Sequence, residues 1–266
     1  AQVTPQTIKR WSLPLFVIGL GMLVAVLLVG HVGKGAQRWL DLGFMKFQPS
    51  EVMKLAVPMA VAWFISSHNL PPKIRHLLLG FLMCAIPTLL IAKQPDLGTS
   101  ILIATAGVFV LFMSGMSWRI IAFVAALISA FLPVLWLFLM RDYQRQRVLT
   151  FLNPESDPLG SGYHIIQSKI AIGSGGLEGK GYLQGTQSQL EFLPERHTDF
   201  IFAVISEELG LMGVLLLLSL YLFIIGRCMF IASQAQDNYS KLVAASFTLT
   251  FFVYVFVNIG MVSGLL

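Results

Sequence analysis

Asp199 ends the run Leu193-Pro-Glu-Arg-His-Thr-Asp199 and is the last polar residue before an apolar stretch that opens at Phe200. A carboxylate at such an edge, partly desolvated and surrounded by cations, is suited to act as a general base. It is also suited to cap the following helix, where the dipole favours negative charge. Glu51 and Lys54 stand three residues apart and so share one face of another apolar helix. Ionisable groups at membrane depth are costly unless paired or hydrated. These two are either a structural ion pair or a site in which Lys54 meets an anionic ligand and Glu51 positions it or binds a cation. Arg38, Lys46, Arg141, Arg145, Arg147, Lys180 and Arg196 each read as a solvated charge. Together, on one side of the alternating loops, they suit an anionic ligand such as a lipid pyrophosphate.

Other patterns carry no site. The glycine run Gly173-Ser-Gly-Gly-Leu-Glu-Gly-Lys-Gly181 has Ser174 and Gly181 where a phosphate loop needs Gly and Ser or Thr, and Glu178 where a dinucleotide fingerprint needs its third glycine. Its glycines are expected to form turns that pack closely over a ligand. His197, Thr198 and Asp199 are chain neighbours and cannot line up as a catalytic triad. The histidines show no metal spacing, and a site held by carboxylates would favour Mg²⁺ or Mn²⁺. Cys84 and Cys228 are expected to be free thiols.

The elements that must hold these residues are hydrophobic. Of the 266 residues, 56% are hydrophobic and 12% charged, about half the charge of a soluble domain. This is the composition of an integral membrane protein. The net charge of +5 is accounted for by basic residues at membrane edges, so nucleic acid is not an expected partner. The apolar runs Leu13–Val32, Val52–Ser67, Leu77–Ala92, Leu97–Met116, Ile120–Met140, Phe200–Gly226 and Leu242–Leu266 predict an all-α bundle of seven spans. Pro58, Pro87 and Pro133 are expected to kink their runs. Gln48-Pro-Ser-Glu51 and Gln94-Pro-Asp96 carry helix-start chemistry. Glu207 and Glu208 lie about 12–14 Å along the helix from Asp199 and point about 80° and 180° away from it. At least one is expected to pair with another helix or sit in a watery cavity. Residues 1–266 read as one transmembrane domain, with a long loop over 141–199. The balance of Lys and Arg in the short loops places that loop on the extracytoplasmic side. The start at Ala1 and the end within an apolar run read as an internal stretch of a longer chain.

The motifs Lys34-Gly-Ala-Gln-Arg-Trp39, Gln48-Pro-Ser-Glu-Val-Met-Lys54, Gln94-Pro-Asp-Leu-Gly-Thr-Ser100, the glycine run to Gly181 and Leu193-Pro-Glu-Arg-His-Thr-Asp199-Phe-Ile-Phe202 occur in an order that resembles the SEDS family (shape, elongation, division and sporulation). The resemblance covers essentially the whole chain. It implies a ten-span fold of which the present spans are the third to ninth, with two helices before Ala1 and a tail after Leu266. It also implies a peptidoglycan glycosyltransferase of the bacterial inner membrane, polymerising lipid II at the outer leaflet during cell elongation. In that chemistry MurNAc C1 inverts and undecaprenyl pyrophosphate leaves. Asp199 matches the family's essential aspartate, which implies the general base. Glu51 and Lys54 match its buried pair. Arg38, Lys46, Gln48, Asp96, Lys180 and Arg196 are the candidates for substrate or cavity contacts. The implied partners are the elongation machinery and a class B penicillin-binding protein, whose single helix would lie against Phe200–Gly226 and Leu242–Leu266. The alternative is a lipid II flippase, for which charges in spans would also be needed.

Overall fold

The computed structural model describes residues 4–33, 36–41, 43, 46–140, 142–152, 161–189 and 198–265. Helix α1 (Pro5–Val29) starts on a Thr4 cap whose hydroxyl accepts from the Thr7 amide. A small antiparallel sheet follows, β1 (His31–Gly33), β2 (Ala36–Asp41) and β3 (Lys46–Phe47), in the order β1-β2-β3. Then come α2 (Pro49–Ser66), α3 (Ile74–Lys93), α4 (Leu97–Met113) and α5 (Trp118–Val134). The expected helix starts are present. Pro49 sits in the first turn of α2, and Asp96 caps α4, its Oδ1 accepting from the Thr99 amide at 3.3 Å.

The prolines act differently from one another. Pro58 and Pro87 lie within α2 and α3 without interrupting them. After Pro133 the chain passes into a π-turn over Leu135–Leu139, where the Met140 amide donates to the Leu135 carbonyl at 2.9 Å. The remaining helices are α6 (Asp142–Leu152), α7 (Ser161–Ser174), the short α8 (Thr186–Gln189), α9 (Ile201–Gln234) and α10 (Asn238–Ser263).

All seven expected spans are helical, and five helices are long and apolar enough to cross a membrane: Pro5–Val29, Ile74–Lys93, Trp118–Phe138, Ile201–Gln234 and Asn238–Ser263. Two of the seven fall short by that measure. Leu97–Met113 has 17 residues, because Asp96 and Ser114 bound it. Pro49–Ser66 opens with Ser50, Glu51 and Lys54, which dilute its apolar character.

The chain divides into two compact units. The first comprises residues 1–122 and 226–251. At its centre lies α2, with Met53, Ala56, Val57, Ala60, Val61, Ala62 and Ile65 all buried. Small side chains let helices approach closely, which is how membrane helices gain packing energy in the absence of a hydrophobic drive. Gly107 of α4 illustrates this, since a Cβ there would overlap Cys84 Sγ of α3 and press on Val57 of α2. Buried hydroxyls and amides tie the helices further. The Ser12 and Tyr239 hydroxyls bond at 2.7 Å, Ser246 Oγ donates to the Ala106 carbonyl at 2.7 Å, and Gln94 Nε2 donates to the Leu23 carbonyl at 3.1 Å.

The second unit comprises residues 123–225 and 252–266. Its core is Ala171, Phe202, Ala203 and Val262, with Phe200, Val204 and Ile259 packed around them. Ser168 Oγ of α7 donates to the Val262 carbonyl of α10 at 2.8 Å.

The close approach at Gly107 makes a prediction. Gly107→Leu should overpack the α2–α3–α4 contact and destabilise the protein by about 1–3 kcal/mol, read as earlier thermal unfolding in detergent. Gly107→Ala should be milder, and Cys84→Ala placed beside it should recover most of the loss.

Candidate active site

The glycine run and the start of α9 form one structure. Helix α9 is broken at Gly210, whose φ of 62° and ψ of −162° are open to glycine and strained for other residues. In an unbroken helix the Leu211 and Met212 amides would donate to the Glu207 and Glu208 carbonyls. Here the loop takes both sides of those bonds. The Lys180 and Gly181 amides donate to the Glu207 and Glu208 carbonyls, each at 3.0 Å. The Leu211 and Met212 amides donate to the Gly176 and Leu177 carbonyls at 2.9 and 3.2 Å. An unpaired backbone group away from water costs several kcal/mol, so this exchange makes the break tolerable. The backbones meet too closely for side chains. A Cβ on Gly175 would strike the Ser206 carbonyl, one on Gly179 the Glu208 carbonyl, and one on Gly210 the Gly179 amide. The glycines therefore pack over the helix break, where the sequence suggested packing over a ligand.

A side-chain cluster reinforces the insertion. Glu207, fully buried, accepts from Lys180 Nζ at 2.7 Å, from the Gln187 amide at 3.0 Å and from Thr186 Oγ1 at 3.1 Å. Lys180 Nζ also donates to Thr186 Oγ1 at 2.9 Å. One of the two acids is paired as expected, but its partner comes from the glycine-rich loop and not from another helix. Removing one member of a buried ion pair typically costs about 3–5 kcal/mol.

The break also changes the length reading of α9. Leu211–Gln234 alone is about 36 Å long at 1.5 Å per residue, enough for a hydrocarbon core of about 30 Å. Ile201–Leu209 is thus a separate helical segment that carries Asp199 at its entrance.

Asp199 sits in the turn 198–200, exposed. The first helical carbonyl is that of Phe200, which accepts from the Ala203 and Val204 amides at 3.0 and 3.3 Å. Among the described residues the Asp199 carboxylate accepts no hydrogen bond, so it does not cap α9. Its backbone is fixed instead. Asn258 Nδ2 of α10 donates to the Asp199 carbonyl at 3.0 Å, and the Phe200 ring lies against His164 of α7 with centroids 6.4 Å apart. An anchored backbone with an unengaged carboxylate suits a proton acceptor. Sequence reasoning missed Asn258, a polar residue within the apolar run of α10.

In the first unit Lys54 Nζ donates to Glu51 Oε1 at 2.7 Å. The Glu51 side chain is 56% exposed and that of Lys54 24%, so the pair forms while its acid stays open on one side. Arg38 Nη2 donates to the Pro95 carbonyl at 2.6 Å, and its Nη1 lies 3.6 Å from Asp96 Oδ2. Gln48 Nε2 reaches the same oxygen at 3.4 Å and Ser50 Oγ at 2.9 Å. Arg38, Gln48 and Asp96 thus form one cluster at the starts of α2 and α4. Lys46 is exposed on β3. Arg145 donates to the Leu137 carbonyl at 2.9 Å and pairs with Asp142 at 3.6 Å. Arg141, Arg196 and His197 lie outside the described residues. Among the described residues no three His, Cys, Asp or Glu side chains come together, so the carboxylate site for Mg²⁺ or Mn²⁺ has no ligand set there. Cys84 and Cys228 are free.

The family profile described as cell cycle protein, covering FtsW, RodA and SpoVE, matches residues 1–266. The chain is 60% identical over 266 residues to the peptidoglycan glycosyltransferase MrdB of Escherichia coli (strain K12), covering 100% of this chain and 72% of that protein. It is 39% identical over 263 residues to the probable peptidoglycan glycosyltransferase FtsW of Trichlorobacter lovleyi, covering 97% of this chain and 68% of that one. A chain from a structure of a peptidoglycan synthase complex superimposes with a TM-score of 0.83 at 29% identity, over 99% of this chain and 73% of that chain. The crystal structure of Thermus thermophilus RodA superimposes with a TM-score of 0.66 at 25% identity, over 97% of this chain and 68% of that chain. This chain belongs to the FtsW, RodA and SpoVE family of cell cycle proteins, the SEDS family, and is a multi-pass membrane protein.

Proposed function

We propose that this chain is the membrane domain of a peptidoglycan glycosyltransferase that polymerises lipid II at the outer face of the bacterial inner membrane, with Asp199 as general base. The similarity along all 266 residues to a peptidoglycan glycosyltransferase, at 60% identity, carries the reading. The exposed, non-capping carboxylate of Asp199, on a backbone held by Asn258, gives it a chemical centre.

The 4-hydroxyl oxygen of the incoming GlcNAc attacks C1 of a MurNAc on the lipid-linked glycan. Asp199 takes the hydroxyl proton, the new C1–O bond forms, and the bond from C1 to the pyrophosphate breaks. Attack opposite the leaving group inverts the anomeric centre, and undecaprenyl pyrophosphate departs with the bonding electrons. Two negative phosphates develop charge as they leave, which cations stabilise. Arg196, three residues before Asp199 in the chain, is a candidate, and Lys46 and Arg38 are the candidates that the family resemblance implies. Glu51 and Lys54 offer a polar edge at the start of α2.

A class B penicillin-binding protein as partner fits an apolar groove of about 320 Å³ in the second unit. Leu218, Tyr221 and Leu222 of α9 line one wall, and Phe252, Phe256 and Ile259 of α10 line the other. Without bound protein, Leu222 and Phe256 are 67% and 55% exposed, which suits a single membrane helix laid between them.

Two outcomes are expected with the full-length protein and its penicillin-binding partner. Wild type given lipid II should make polymer on a gel, and a folded Asp199→Asn variant should make at least 100-fold less, the scale of a lost general base. Equal polymer from both would remove Asp199 from the chemistry. No polymer from either, with lipid II crossing liposome membranes, would make the protein a transporter. Leu222→Ser with Phe256→Ser should weaken co-purification of the partner about tenfold or more, as loss of buried anchors does. Unchanged co-purification would place the partner elsewhere.

A further inference from the structure

We propose that Lys180 and Glu207 are positioning residues for glycosyl transfer: their ion pair holds the glycine-rich loop in the gap of α9 and so sets where Asp199 stands. The inference rests on the reading of Asp199 as general base.

The geometry behind it is a lever. Asp199 enters the helical segment Ile201–Leu209, and that segment ends at the break. Glu207 is eight residues from Asp199, about 12 Å along the helix, so a rotation of about 5° at the break would move Asp199 by about 1 Å. A misplacement of that size can cost about 100-fold in rate. The Asp199 carboxylate makes no hydrogen bond of its own among the described residues, so its aim follows its backbone. At its near end the segment is held by Asn258 at the Asp199 carbonyl and by core packing of Phe200, Phe202 and Ala203. At its far end it is held by the inserted loop, whose backbone bonds fall on residues 207, 208, 211 and 212.

Those backbone bonds close a loop that is costly to order. The loop residues between Gly175 and Gly181 include Gly176, Gly179 and Gly181 at positive φ, and glycine is the residue that loses most freedom on ordering. Something must offset that loss. The Lys180–Glu207 contact at 2.7 Å, with Thr186 and Gln187 on the same carboxylate oxygen, fastens the loop at the residue where it enters the break. Two of the three donors of the Lys180 ammonium are used there, on Glu207 and Thr186. The sequence suggested a contact between Lys180 and an anionic substrate, and that reading gives the opposite kinetic signature.

The test uses the full-length protein with its penicillin-binding partner, lipid II polymerisation kinetics, and amide hydrogen exchange. Lys180→Met and Glu207→Met should each lower kcat by about 100-fold while KM for lipid II stays within about twofold. The double variant replaces the pair with apolar groups of similar size and should recover about tenfold or more over either single variant, as buried pairs do when both charges are removed. Lys180→Arg and Glu207→Asp keep the charges and serve if the methionine variants fail to fold, with kcat falls of about tenfold or less expected at unchanged KM. The Lys180, Gly181, Leu211 and Met212 amides should exchange slowly in wild type and faster in Lys180→Met or, failing that, Glu207→Asp. A raised KM with kcat intact, and no recovery in the double variant, would make Lys180 a substrate contact and overturn the proposal. Wild type without polymer would instead count against the polymerase reading. The exchange data would then still decide the clasp, since amides indifferent to the ion pair would overturn it.

Discussion

A membrane helix cannot leave backbone N–H and C=O groups unpaired, and the break at Gly210 in α9 creates such groups on both sides. The glycine-rich loop exists to meet that requirement. Its carbonyls at Gly176 and Leu177 and its amides at Lys180 and Gly181 stand in for the helix bonds that the break removes. In return α9 is divided into a long membrane-crossing part and a short segment that presents Asp199. Everything proposed for the chemistry depends on that short segment being fixed in direction, because the carboxylate itself is held by nothing among the described residues.

Glycosyl transfer from a pyrophosphate-linked donor asks the protein for few things: a proton acceptor at the incoming hydroxyl, cations near the departing pyrophosphate, and a stable orientation of both sugars. In the second unit the proposed acceptor, Asp199, stands on a backbone anchored by Asn258. In the first unit, taken by itself, Arg38 is held by Asp96 and Pro95 and Lys54 by Glu51. These arrangements share a logic. Each cation carries a short tether to an acid or carbonyl, which fixes its place without removing its charge.

Much of this was legible in the sequence, and the limits have physical reasons. Composition and run length gave the seven apolar helices, but neither α6 to α8, which lie within the stretch read as a long loop, nor the small sheet. The density of polar residues before Phe200 singled out Asp199, and local spacing gave the Glu51–Lys54 pair and the helix starts at Pro49 and Asp96. The break at Gly210 was not legible, since a glycine inside an apolar run is common in membrane helices. Nor was the role of the glycine run. Its partner is the backbone of a helix roughly thirty residues further on, and backbone leaves no trace in side-chain chemistry. The need for a partner to Glu207 or Glu208 followed from the cost of a buried charge, but Lys180 as that partner depends on a non-local fold. Asn258 escaped notice because one amide in an apolar stretch carries no pattern. The expectation of seven full spans met helix ends set by Asp96, Ser114 and the polar first turn of α2.

The most direct test of the account is a structure of the full-length protein with its penicillin-binding partner, a lipid-linked glycan donor analogue and lipid II bound together. The account expects an Asp199 carboxylate oxygen within about 2.6–3.2 Å of the acceptor 4-hydroxyl, or one water away from it. An acceptor seated in the site with that hydroxyl out of reach of Asp199 would contradict the account.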